Sequence, residues 1–71
     1  MDDKTAGELW RTFNSRAIGA EPSILEGLNL IRKLVEDRIR FYRVHYGWGP
    51  DYAKGAALDD FNIDPKTWHE G

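Results

Sequence analysis

The 71 residues contain no cysteine, which excludes a disulfide framework and any thiolate metal site. Only two histidines occur, His45 and His69, and they do not have the i, i+4 spacing that puts two zinc ligands on one helix face. No apolar run approaches the roughly 18 residues a transmembrane helix needs, and no signal-peptide pattern is visible. The expectation is a soluble, cytoplasmic protein without a membrane partner. There is no glycine-rich phosphate loop. Neither Ser15 nor Ser23 stands in a Ser/His/Asp pattern. Glu36 and Asp37 are adjacent, so on a helix they point about 100° apart and do not converge on one reacting atom. No catalytic residue, metal, cofactor or small-molecule substrate is expected, and the chain does not read as an enzyme.

What is present is apolar and aromatic. Hydrophobic residues make up 41% of the chain and aromatics 13%, too much for a disordered segment and enough for a packed core. The length suits one domain, residues 1–71, near the lower limit for a self-sufficient core. The net charge of −2 hides an asymmetry. Residues 1–20 balance, residues 21–46 carry five bases against four acids, and residues 47–71 carry five acids against two bases. All five bases of the middle segment fall between Arg32 and Arg43. The acidic tail is therefore expected to fold back over that basic half.

One long helix over 23–46 dominates the pattern. Ser23-Ile24-Leu25-Glu26 fits a capping box, with Pro22 just before it. No proline follows until Pro50, and Gly47-Trp48-Gly49-Pro50 supplies the stop. At about 1.5 Å per residue this helix runs about 36 Å, longer than so small a domain is wide. Ile24, Leu28, Ile31, Val35, Ile39, Tyr42 and Tyr46 form one stripe, spaced 4, 3, 4, 4, 3 and 4 residues apart. That is close to the natural helical period and does not indicate a long left-handed coiled coil on this stripe. Leu30, Leu34, Phe41 and Val44 occupy a second sector. A helix apolar on two sectors is buried on more than one side. One stripe is expected to meet the chain's own flanks and the other a second copy or a partner; the alternative is that the flanks wrap both faces.

The flanks read as short helices. Thr5-Ala6-Gly7-Glu8 is a second capping box, opening a helix over 5–18 that presents Leu9, Trp10, Phe13, Ala17 and Ile18 before Gly19. A third helix, 50–60, starts at Pro50 and offers Ala53, Ala56, Ala57, Leu58 and Phe61, with Gly55 open to a close helix approach. Asp64 and Pro65 read as cap and first position of a last helix, 64–70. The fold class is all-α: a central helix, an N-terminal helix packed on it, and two short C-terminal helices.

The run Ala57-Leu58-Asp59-Asp60-Phe61-Asn62-Ile63-Asp64-Pro65-Lys66-Thr67-Trp68 resembles the centre of a helix-turn-helix. Ala57 resembles the small residue that lets the helices cross, Phe61-Asn62-Ile63 the turn and Asp64 the cap. The resemblance implies groove- or phosphate-facing roles for Lys66 and Thr67. Asn62 replaces the usual turn glycine, and Asp59, Asp60, Asp64 and Glu70 surround the motif with charge that phosphate repels.

Two functions are compatible with these features. The first is a small non-enzymatic interaction or regulatory protein, of a size and composition that fit a phage-encoded or bacterial modulator of a larger protein. It would bind a protein partner, itself, or both through Leu30, Leu34, Phe41, Val44 and Trp48. The alternative is nucleic-acid binding through the C-terminal corner and the basic arc, with Arg32, Lys33, Arg40, Arg43, Lys66 and Thr67 as the contact set.

Overall fold

Asp2 rather than Thr5 opens the first helix. The structure, a computed structural model, describes residues 2–15 and 22–68. In it the Thr5 backbone N–H donates to Asp2 Oδ1 at 2.7 Å and the Ala6 N–H to the Asp2 carbonyl at 3.0 Å. A short carboxylate at the positive end of the helix satisfies an orphan donor and the local dipole together. The hydrogen bonds from Thr5 hold the Asp2 carboxyl below its ordinary range. Helix α1 therefore runs Asp3–Ser15, starting earlier than expected. Ala17, Ile18 and Gly19 lie outside the described residues.

Helix α2 spans Pro22–Tyr46. Pro22 is its first residue, so Ser23 stands inside the first turn and not at the cap. Gly47 ends the helix with φ +69°, a left-handed conformation that only glycine adopts without strain. Gly49 then precedes helix α3, Pro50–Asp60, with Pro50 in the first position, where a missing N–H costs nothing.

The end of α3 is closed by two reversed hydrogen bonds, Asn62 N–H to the Asp59 carbonyl and Ile63 N–H to the Leu58 carbonyl. This is a Schellman closure, with Asn62 at φ 55° in the place glycine usually takes. Leu58 and Ile63, the apolar pair that accompanies such a closure, are both buried. Asp64 accepts from the Lys66 N–H at 3.0 Å, but what it caps is a single 3-10 turn, Pro65–Thr67. The α-helix expected over 64–70 is absent among the described residues. The turn's end carries Trp68, which is drawn onto α1 instead.

The fold is all-helical, with three α-helices and no strand among the described residues. Its core is the buried stripe of α2, Leu28, Ile31 and Val35, closed on one side by Ala6 and Trp10 of α1. Ala57, Leu58, Phe61 and Ile63 of the C-terminal segment close the other. Each large side chain here contributes about 2 kcal/mol by leaving water. Gly27 makes room for Phe13, because a β-carbon there would lie 2.6 Å from Phe13 Cε2. Gly55, by contrast, faces open space, and no described helix approaches α3 there.

Two long-range locks tie the elements. Trp10 is fully buried, its ring 4.9 Å from that of Trp68 and its Nε1–H donating to Thr67 Oγ1 at 3.2 Å. Arg38 on α2 bridges α1 and α3, pairing with Asp3 at 3.1 Å and Asp60 at 3.0 Å while lying 5.0 Å over the Phe61 ring. Burial alone would lower the Arg38 guanidinium, yet the hydrogen bonds with Asp3 and Asp60 outweigh it and hold it above its ordinary value. The acidic C-terminal segment does fold back through Asp60, onto a base that lies outside the Arg32, Lys33, Arg40 and Arg43 set.

Candidate interaction surface

Helix α2 is as long as the molecule. Its 25 residues extend about 37 Å at 1.5 Å per residue, against a longest dimension of 39 Å. Among the described residues the two flanking helices pack on one side of this rod and leave much of the other exposed. Leu30 is 50% exposed, Phe41 45% and Val44 72%. Leu34, between them, is half-buried and touches the core edge. These four residues share the outer sector of α2.

Trp48 shares the lining of one groove with Val44, and its ring packs with those at the helix end, 5.0 Å from both Tyr42 and Tyr46 and 4.8 Å from Tyr52. Phe41 links the two groups through Tyr42 at 5.7 Å, His45 at 4.5 Å and Tyr46 at 5.8 Å. The result is a ladder of rings across the end of α2 and the start of α3. Tyr52 is its most exposed tyrosine, and single-helix periodicity could not place it there because it lies beyond the hinge.

Tyr42 gives the ladder a polar anchor. Its hydroxyl donates to the Asp60 carboxylate, the same group that holds Arg38. That bond, reinforced by burial, raises the Tyr42 phenol above its ordinary value.

The basic residues differ in what they meet. Arg40 and Arg43 line an open groove of about 780 Å³ with Glu36, Ile39, Val44, Gly47, Trp48 and Gly49. Lys33 is exposed on the outer side of α2. Arg32 turns toward the N-terminal half, donating to Asn29 Oδ1 and lying 5.8 Å over the Trp10 ring. Thr67 accepts from Trp10 and donates to the Asp64 carbonyl at 2.8 Å, so its hydroxyl is engaged inside the fold. Lys66 is exposed on the 3-10 turn.

A smaller hollow of about 300 Å³ opens on the outer sector between Leu34 and Phe41, lined also by Asp3, Asp37, Arg38 and Phe61. Asp37 and Arg38 were not among the expected contact residues. A charged residue inside an apolar stripe is visible in the sequence only when the stripe is read at heptad spacing. Among the described residues no group of three or more His, Asp or Glu is placed to hold a metal ion, and no helix is long and apolar enough to cross a membrane.

No family model, curated protein or solved structure matches this chain.

Proposed function

We propose that this chain is a non-enzymatic interaction protein that docks a protein partner on the outer sector of α2. Leu30, Leu34, Phe41 and Val44 are the contact residues, and the ring ladder ending at Trp48 and Tyr52 forms the rim. The observation that carries this reading is the row of Leu30, Phe41 and Val44, exposed along a helix whose opposite side already fills the core, with half-buried Leu34 and exposed Asp37 between them. Single exposed apolar residues are ordinary on protein surfaces, whereas a contiguous row with aromatic neighbours marks a contact region.

The helix-turn-helix-like corner fits a structural role under this reading. Its turn resembles the family's, with Asn62 in the left-handed region, but the second element is three residues long and Thr67 is held by Trp10. The nucleic-acid alternative draws its support from the groove where Arg40 and Arg43 meet Trp48, a combination of charge and ring that suits a single strand. Under that alternative, binding to a single-stranded oligonucleotide weakens steeply with salt and with Arg40→Ala.

The test is site-specific photo-crosslinking in extract of the source cell. A photoreactive residue at position 41 or 44 is expected to trap a discrete protein adduct, and one at Thr12, on the exposed side of α1, is not. Equal labelling from both sides overturns the reading. Sedimentation equilibrium over a range of concentrations separates a foreign partner from a second copy.

A further inference from the structure

The outer sector of α2 repeats with a different period from its buried one. Leu30, Leu34, Phe41 and Val44 are spaced 4, 7 and 3 residues apart, and Asp37 completes a 4-3-4-3 series. That is the a/d spacing of a heptad, whereas the buried stripe keeps the natural helical period. A heptad seam facing outward is shaped for a second helix lying along it, with side chains of one seated in gaps of the other. Beside the seam a hollow of about 300 Å³ opens between Leu34 and Phe41, closed by Asp3 of α1 and Phe61 beyond α3.

Charge decides which helix fits. Lys33 and Arg40 stand one heptad apart on the row beside the seam, both exposed. In a parallel pair of copies this row faces the residue five further along, which sets Lys33 against Arg38. In an antiparallel pair the rows face each other and set Lys33 against Arg40. Asp37 would meet a second Asp37 in the parallel pair, and Leu34 or Phe41 in the antiparallel one. The shifted register that brings Glu26 to Arg40 sets Phe41 against Ser23. A second copy therefore brings like charges together and leaves a carboxylate without a partner in an apolar seam. The hollow is itself lined by two acids, Asp3 and Asp37, against one base, Arg38, whose guanidinium is already shared by Asp3 and Asp60.

We infer that the seam receives one amphipathic helix of a different protein, carrying acids toward Lys33 and Arg40 and a lysine or arginine toward Asp37. This rests on the reading that the outer sector of α2 is a protein-docking surface. The basic side chain lays its methylene stem along Leu34 and Phe41, with its charge at Asp37 on the side away from Arg38, which already covers the Phe61 ring. The acids on the partner fix the register, and the apolar residues of the seam exclude water around both.

The experiment uses two labelled synthetic helices of about three heptads with the same leucine seam. One has glutamates on the row that meets Lys33 and Arg40 and a lysine opposite Asp37; the other has these charges exchanged. Fluorescence anisotropy with the full chain is expected to show at least tenfold tighter binding of the first. The K33E/R40E double variant reverses the preference, and Asp37→Leu removes the preference for the seam lysine. These positions are exposed, and circular dichroism checks that each variant stays folded. Equal binding of both peptides, or binding of neither, overturns the inference. So does a dimer of the chain alone that Phe41→Asp dissociates. A chain that crosslinks a partner from position 41 but ignores both peptides loses this inference and keeps the docking surface; one that does neither loses both.

Discussion

Gly7 of α1 lies against the Phe61 carbonyl so closely that a β-carbon at position 7 would stand 1.9 Å from that oxygen. Two backbones meet here, and neither can swing aside as a side chain could. Gly7→Ala gains about 1 kcal/mol of helix propensity, but the overlap forces α1 off the C-terminal segment at a cost of about 3 kcal/mol. A net loss of about 2 kcal/mol is expected, read as a lower denaturant midpoint with a slope near that of the wild type. Unchanged or raised stability would mean that α1 and Phe61 are not in contact.

Arg38→Met keeps the aliphatic stem and removes the charge shared by Asp3 and Asp60. Both ion pairs are partly open to water, which limits what each contributes, and the contact with the Phe61 ring adds a similar amount. The variant is expected to lose about 1–2 kcal/mol in low salt, and the loss shrinks in high salt as Asp3 and Asp60 no longer repel. A loss that does not change with salt would assign the effect to packing alone.

Tyr42 predicts behaviour in alkali. Its phenol is raised, first by its hydrogen bond to Asp60 and then by burial. The folded state therefore holds the proton more tightly than the unfolded chain does. The stabilisation is full below the ordinary phenol value near pH 10 and is lost as pH rises through the raised one. Tyr42→Phe is expected to flatten the fall of stability in that window and to remove the latest-titrating phenolate from the ultraviolet absorbance curve. If the last phenolate to appear is unaffected, the Asp60 contact is not made.

The docking sector and the core separate under the same substitution. Leu30→Asp, at a half-exposed position, is expected to change stability by no more than about 0.5 kcal/mol. Leu28→Asp places an unpaired carboxylate among Ile31, Val35 and Trp10 and is expected to abolish folding. Thermal melts followed by circular dichroism compare the two. A large loss from Leu30→Asp would show that the outer sector also serves the fold.

Local signals were legible in the chain. The burial of Leu28, Ile31 and Val35, the start of α3 at Pro50, the role of Asp64 as a cap and the left-handed Asn62 all follow from spacing or backbone preference within a few residues. These are properties of one turn of chain, so one turn of sequence carries them. The misplaced cap of α1 is local as well: Asp2 competes with Thr5 by a margin of about 1 kcal/mol or less that pattern alone does not rank.

The rest depends on which segments meet. Arg38 reads as one more base on a charged helix until Asp3 and Asp60, 35 and 22 residues away, arrive on either side of it. Trp10 needed Trp68, and Thr67 became a structural hydroxyl because Trp10 reached it. The apolar sector over Leu30–Val44 is in the sequence, but whether a flank covers it is settled only once α1 and α3 have packed on the opposite side. Periodicity determines how many faces a helix can bury; three-dimensional packing decides which face is left for something else, because among the described residues α1 and α3 both pack on the stripe of Leu28, Ile31 and Val35.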